Sequence, residues 1–283
     1  MDLKRALQQV QKGATPARSD SPRAPLIEVF DSFQGEGRFV GARMLFVRVA
    51  TCPLRCLYCD TPNSYAAPAR FPVRFGVREA QEANPVPADR AAELVRQVAV
   101  ALPAPGRPVR VSLTGGEPLV FPEFVKAFGR GVREHGMRLH LETAAIDPDA
   151  LSKCIDQVDH LSADWKLPET LGPAASPSAA LAPGQTFGER HRRCVEIAVR
   201  RGATVDVKIV LTPAVTDPSL ELALTELAPL REKIVLVLQP VTPFGAVTRP
   251  LTRDDLQRHA AAALRAGFDV RVLPQTHKVL QLP

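Results

Sequence analysis

Apolar residues recur along this chain in two periods. Short β-branched runs stand at "LIEVF", "MLFVRVA", "VRVSLT", "MRLHLET", "HLSADWK", "VDVKIVL", "IVLVLQP" and "DVRVLPQ". Between the later runs, apolar positions repeat every three or four residues, in "ADRAAELVRQVAVAL", "PEFVKAFGRGVREHG", "GERHRRCVEIAVRRG", "PSLELALTELAPL" and "RDDLQRHAAAALRAG". The first pattern predicts strands and the second amphipathic helices. Several helical stretches end in Gly just before the next run, where a helix C-cap favours a left-handed residue. Strand then helix, repeated, predicts right-handed crossovers and a parallel sheet. About six such units predict an α/β fold of the partial, incomplete parallel β/α-barrel kind, because a full eightfold barrel normally takes somewhat more chain.

Two stretches break the rhythm, 64–87 and the Pro-, Ala-, Ser- and Gly-rich 167–188. Both are expected as surface loops or lids inserted in one domain spanning 26–283. Residues 1–25 are expected as a polar, partly disordered lead-in, since they contain no apolar segment of the secretory kind. No apolar run approaches the ~20 residues that span a bilayer, so no membrane contact is expected. The net charge of +6 is spread over scattered arginines. The clusters "ERHRR" and "VRR" are not interleaved with aromatics, so they predict solvated helix faces and no direct nucleic-acid contact.

Chemistry enters with the cysteines. Three of the five, Cys52, Cys56 and Cys59, fall in C-x3-C-x2-C, with Tyr58 just before the last. A structural zinc site wants four Cys or His ligands, and no fourth lies nearby. Cys154 and Cys194 sit in helical stretches, where a cysteine is normally a small buried apolar residue. Three thiolates on a [4Fe–4S] cluster leave one iron free for a chelating ligand. A zinc-stabilised binding module stays open as the alternative. The odd count and tight grouping fit a reducing cytoplasm and not a disulfide framework. Polar groups also close five predicted parallel strands, at "TGGEP", "ET", "DWK", "QP" and "PQTHK". Catalytic groups of α/β folds collect at that edge, so one shared site is expected.

The spacing C-x3-C-x-aromatic-C resembles that of the radical S-adenosylmethionine (radical SAM) superfamily, and "VRVSLTGGEPL" is similar to its Gly-Gly-Glu-Pro turn. A narrower resemblance lies at the two ends. "VFDSFQGEGRFVGARMLFVRVATCPLRCLYCDTP" resembles the opening of the 7-carboxy-7-deazaguanine synthase family, and "LPQTHKVLQLP" resembles its Gln-x-His-Lys ending.

That resemblance implies a radical SAM lyase of 7-deazapurine (queuosine-type) biosynthesis. The three cysteines would hold a [4Fe–4S] cluster, and its free iron the amino and carboxylate groups of S-adenosyl-L-methionine. A flavodoxin-like donor would supply an electron to give a 5′-deoxyadenosyl radical. That radical would take hydrogen from C6 of 6-carboxy-5,6,7,8-tetrahydropterin; ring contraction and loss of ammonia would give 7-carboxy-7-deazaguanine. By the same resemblance Thr61 would bind Mg2+, and a homodimer is implied. Tyr58, Gly115, Gly116, Glu117, Glu142, Asp164, Lys166 and Gln239 would contact S-adenosylmethionine. Gln34, Glu36, Arg48, Gly115, His277 and the carboxylate of Pro283 would contact the pterin. Two departures stand out: "LETAA" replaces an expected Glu-Thr-Asn-Gly, and "SADWKLP" an expected Ser-Pro-Lys. A radical SAM activase, forming a glycyl radical on a partner protein, shares the cysteine spacing and the Gly-Gly-Glu-Pro turn; it has no need of the two ends.

Overall fold

The computed structural model describes residues 20–75, 78–101, 109–173, 181 and 185–282. In chain order the strands are β1 (Arg23–Ala24), β2 (Leu26–Phe33), β3 (Arg43–Val49), β4 (Arg70–Phe75), β5 (Arg78–Ala83), β6 (Val86–Pro87), β7 (Arg110–Gly115), β8 (Arg138–Thr143), β9 (His160–Trp165), β10 (Thr204–Leu211), β11 (Ile234–Pro240) and β12 (Val270–Val272). The helices are α1 (Ala88–Ala101), α2 (Pro122–Glu134), α3 (Pro148–Cys154), α4 (Phe187–Arg200), α5 (Asp217–Leu227), α6 (Arg253–Arg265) and α7 (Thr276–Val279). Asp147, Thr186, Thr216 and Thr252 start α3 to α6 by accepting a backbone N–H into the side-chain oxygen.

One sheet runs β12-β11-β10-β9-β8-β7-β3-β2-β4-β5. From β3 to β12 every neighbouring pair is parallel. The two end strands, β12 and β5, do not pair with each other, so the barrel is open. β2 departs from strand-then-helix, running antiparallel to β3.

Strand alternation decides what lies where. On β8 to β11 one face carries Leu139, Leu141, Leu161, Ala163, Val205, Val207, Ile209, Leu236 and Leu238, all in the main core under the helices. The opposite face carries polar residues: His140, Glu142, His160, Ser162, Asp164, Asp206 and Lys208. Register stacks these in layers. Ser112, His140 and His160 are neighbours, as are Glu142, Ser162 and Asp206, then Asp164 and Lys208. Burying such groups is costly unless they are paired, and among the described residues most of them are, although the His140 ring nitrogens and Asp164 Oδ1 make no hydrogen bond. His160 Nε2 meets Asp206 Oδ1 at 2.5 Å, and Ser162 Oγ donates to Asp206 Oδ2 at 2.9 Å. The face under the helices is therefore apolar, and the opposite face is largely polar on β8 to β10 but carries Phe30, Met44, Phe46, Val235 and Val237 on β2, β3 and β11.

The segment 64–87, expected as a loop, folds mainly as the β4–β5 hairpin on the far edge of the sheet. "RFPVRF" alternates, and it buries Phe71 and Val73 while its arginines face outward. Pro72 within the run masks that alternation in the sequence. Of the polar lead-in, residues 1–19 lie outside the described residues, whereas Arg23–Ala24 pair with Val86–Pro87. In 167–188, a short turn at Pro168–Thr170 and the start of α4 are described; 174–180 and 182–184 lie outside the described residues.

Candidate active site

The cysteine loop leaves β3 through Thr51, which carries a φ of 77°. The Gly-Gly-Glu-Pro turn leaves neighbouring β7 and presses on that loop. Gly116 N donates to Val49 O, and Glu117 N to Thr51 O, both at 2.8 Å. A Cβ on Gly115 would overlap the Val49 backbone, and one on Gly116 the Thr51 carbonyl. The paired glycines thus give close approach of one backbone to another, and so set the turn against the cysteines. Glu117 is buried and holds its own turn: Oε1 accepts from Leu119 N at 2.9 Å and Thr143 Oγ1 at 2.5 Å, and Oε2 from Ala144 N at 2.7 Å. Burial nonetheless pushes its pKa up.

Other segments fix the cysteine loop. Arg55 stacks over Tyr65 at 3.8 Å and donates to the Cys52 and Leu54 carbonyls. Leu57 N donates to Thr170 O, Gly172 N to Arg55 O, and Ala246 N to Leu57 O. The turn at 167–172 therefore braces the cysteines. Cys52, Cys56 and Cys59 are partly buried residues, whereas Cys154 and Cys194 are fully buried. Burial and the nearby Glu117 push the Cys52 thiol up to about 12, and burial raises Cys56. Among the described residues no three His, Cys, Asp or Glu side chains converge as ligands of a single ion do. Thr61 Oγ1 lies 4.0 Å from Cys59 Sγ.

A cavity of about 400 Å³ opens at the C-terminal edge of the parallel strands. Every candidate residue named from the sequence lines it except Pro283, which lies outside the described residues. On one wall, Lys166 Nζ binds Asp164 Oδ2 at 2.5 Å and the Tyr58 hydroxyl at 3.1 Å. Asp164 Oδ1 and Gln239 Oε1 are buried with no hydrogen-bond partner among the described residues. Gln34 Nε2 donates to Glu142 Oε1 at 2.9 Å, and Ser112 donates to the same oxygen. On the opposite wall Arg48 Nε donates to Glu28 Oε1 at 2.9 Å, while Arg74 pairs with the other Glu28 oxygen. The C-terminal segment closes the cavity: Thr276 N donates to Gly35 O at 3.0 Å, and Lys278 pairs with Asp60 at 3.0 Å.

Ala144 and Ala145, where Asn-Gly was expected, directly follow β8 as irregular backbone. Ala145 takes the left-handed conformation itself, at φ 51°. Its carbonyl accepts from His191 Nδ1 at 3.2 Å, and His191 Nε2 accepts from Lys166 N at 3.0 Å. These partners fix the His191 tautomer, and burial with the Lys166 charge lowers its pKa to about 4. His191 belongs to "ERHRR", whose expected solvated face does not include this buried ring.

Sequence reasoning passed over Lys208, Gln275, Asp60, Ser112 and Glu28, all but Ser112 lining the cavity. A signal existed for Lys208: in "VDVKIVL", Asp206 and Lys208 share a strand face that a core strand would fill with apolar side chains.

The radical SAM superfamily model matches residues 47–225. A 7-carboxy-7-deazaguanine synthase from Geobacter sulfurreducens is 36% identical over 263 residues, covering 92% of this chain and 98% of that protein. Another from Methanopyrus kandleri is 36% identical over 262 residues, covering 92% and 94%. The crystal structure of QueE from Escherichia coli aligns with a TM-score of 0.56 at 17% identity, covering 88% of this chain and 93% of that one, a likeness of fold. These relatives favour neither the zinc-stabilised module nor the glycyl-radical activase. The chain belongs to the radical SAM superfamily and, within it, to the 7-carboxy-7-deazaguanine synthase family.

Proposed function

We propose that this chain converts 6-carboxy-5,6,7,8-tetrahydropterin to 7-carboxy-7-deazaguanine and ammonia, with a [4Fe–4S] cluster, S-adenosyl-L-methionine and Mg2+. The carrying observation is one cavity at the C-terminal strand edge. It joins the cysteine loop, the Gly-Gly-Glu-Pro turn, the Gln34–Glu36 loop and the Gln275–Lys278 ending.

The donor set fits the cluster. Three thiols without a fourth leave one iron to a small ligand. Burial raises the Cys52 and Cys56 thiols, and a bound cationic metal centre would offset that by stabilising the thiolates. The orphaned Asp164 Oδ1 and Gln239 Oε1 supply acceptors for a ligand's hydroxyl or amino groups. Cys52, Cys56 and Cys59 would hold the cluster, and Tyr58, Gly115, Gly116, Glu117, Glu142, Asp164, Lys166 and Gln239 would surround S-adenosylmethionine. Bound together, cluster and S-adenosylmethionine supply a carbon radical able to take hydrogen from an unactivated C–H bond.

The chain's own residues position and shield. Glu28 occupies the Nε side of Arg48, which leaves the two Nη groups for a substrate carboxylate. Gln34, Glu36 and Gly115 would meet the amino-pyrimidinone edge, with His277 and the Pro283 carboxylate closing the far side. A Thr61 hydroxyl suits a hard ion that keeps several waters. Residues 26–283 act as one domain, as a homodimer in a reducing cytoplasm, with a flavodoxin-like donor; the cysteine usage and the family resemblance support this.

The test is anaerobic turnover of the carboxytetrahydropterin with reconstituted protein and a chemical reductant. Ammonia release and a new deazapurine chromophore are expected. Cluster-loaded protein that cleaves S-adenosylmethionine and yet never consumes the pterin would overturn the proposal.

A further inference from the structure

The reaction scheme leaves Lys208 unused. This lysine is buried in the middle of β10, in register with Asp164 of β9. Its ammonium contacts Glu36 Oε2, and Asp164 Oδ2 at 3.5 Å. Glu36 Oε1 accepts from Gln275 Nε2 at 2.7 Å and from Gln239 Nε2 at 3.3 Å. The Glu36 carboxylate thus sits at the cavity wall and accepts from three side-chain donors. They come from β10, β11 and the C-terminal segment, which meet nowhere near each other in sequence.

We propose that Lys208 is a specificity-determining positioning residue: its ammonium, held between Glu36 and Asp164, aims the Glu36 carboxylate at a ligand edge presenting paired N–H donors. This deepens, and rests on, the reading of the cavity as the pterin site.

An amino-pyrimidinone offers a ring N–H and an amino N–H side by side. A carboxylate accepts both, whereas a carboxylic acid must use one oxygen as a donor. Burial alone drives a carboxyl toward the acid form. Asp60 adds a like charge that pushes Glu36 the same way, and Glu142 of β8 faces it as a further buried carboxyl. His277 and Lys278 approach from the C-terminal segment, and burial lowers the His277 pKa. Among the described residues, Lys208 is the only cation in contact with Glu36. The Gln239 contact is the longest in the shell and the easiest for a ligand N–H to replace. Its carbonyl Oε1, buried with no hydrogen-bond partner among the described residues, then stands beside Glu36 as a further acceptor.

The test is equilibrium binding of 6-carboxytetrahydropterin to cluster- and S-adenosylmethionine-loaded enzyme without reductant, so that nothing turns over. Each variant is compared with wild type at the same pH, which cancels the ligand's own titration. Lys208→Met is expected to weaken binding about tenfold or more near pH 6, and to regain affinity as pH rises and Glu36 ionises. Lys208→Arg keeps the charge and should stay within about threefold of wild type throughout. S-adenosylmethionine affinity should fall less than pterin affinity and without the same pH dependence, because Asp164 keeps its closer partner Lys166. A Lys208→Met ratio near one, or a loss equal at every pH, overturns the proposal. If Lys208→Met does not fold, Lys208→Gln carries the same expectation, and a Lys208→Arg enzyme with a new pH-dependent loss would also overturn it. Glu36→Gln separates the two levels. It should weaken binding at every pH, and if it does not, the pterin reading itself fails.

Discussion

Gly35 and His277 are packed so closely that a single Cβ on the glycine would overlap the imidazole. The contact is locked by the next residue, since Thr276 gives both its backbone N–H and its hydroxyl to the Gly35 carbonyl, each at 3.0 Å. The overlap involves the His277 Cβ as well as the ring, so a rotamer change cannot relieve it. Gly35→Ala must therefore displace the C-terminal segment and carry His277 with it. The expected result is a rise of about tenfold or more in KM for the pterin, about 1.4 kcal/mol of binding, with S-adenosylmethionine affinity unchanged. Steady-state kinetics in each ligand check this, and an unchanged pterin KM would remove His277 from the site.

Thr51 and Ala145 both hold positive φ without being glycine, and magnitudes separate their expected behaviour. The left-handed conformation costs an L residue roughly 1–2 kcal/mol, a cost that glycine does not bear. At Ala145, replacement by Gly gives up a fully buried methyl, roughly 0.8 kcal/mol, and adds roughly 0.4–1 kcal/mol of unfolded-chain entropy. The three contributions nearly cancel, so Ala145→Gly should leave thermal stability close to unchanged. This explains how the chain tolerates alanine where its family resemblance suggested glycine. Thr51 is partly exposed and β-branched, and asparagine adopts the left-handed conformation more readily. Thr51→Asn should therefore stabilise by about 0.5–1 kcal/mol. Thermal melts of the holoprotein compare the two.

His191 gives a pH signature. Its folded pKa near 4 lies below the ordinary 6.5, because burial and Lys166 disfavour the charged ring. Protonation would also break the bond that Nε2 accepts from Lys166 N. Above 6.5 both folded and unfolded forms are neutral, and the group has no effect. As pH falls from 6.5 toward 4 the unfolded chain binds a proton that the fold refuses, so stability drops. The slope is at most about 1.4 kcal/mol per pH unit. His191→Gln can still accept from Lys166 N and donate to Ala145 O. It should melt lower than wild type at neutral pH but lose less on acidification between these limits. Parallel melting curves for the two proteins would refute this.

The barrel and its active edge were legible because strand alternation and helix period are local properties. Cys52, Cys56, Cys59 and the Gly-Gly-Glu-Pro turn stood out because each motif is complete within a short window, and the fold brings both to one cavity. What escaped was set by register between distant segments. Glu36 meets Lys208, Gln239 and Gln275 across separations of 172, 203 and 239 residues. No window of sequence contains both partners. The polar strand faces were visible in "HLSADWK" and "VDVKIVL", but which face looked inward depended on the helices covering the other. His191 was hidden for a different reason: charged neighbours on α4 marked the stretch as solvated, while its own position fell on the buried stripe.

The cysteines divide cleanly by environment, which makes their replacement decisive. Cys56 lines the cavity, pairs through its backbone with Leu171, and has only partial burial. Cys154 is fully buried in the main core, and its thiol donates weakly to the carbonyls of Ala150 and Leu151. Cys56→Ala should lose cluster iron and sulfide, and with them all turnover, while the fold survives because little apolar surface is given up. Cys154→Ala should do the reverse: full iron and sulfide content and full activity, with a stability loss of about 1 kcal/mol from the small cavity left behind. Iron and sulfide analysis, ultraviolet–visible spectra and thermal melts on both variants test the division. Full cluster content in Cys56→Ala would mean that another group holds the metal, and iron loss in Cys154→Ala would make the buried thiol a ligand.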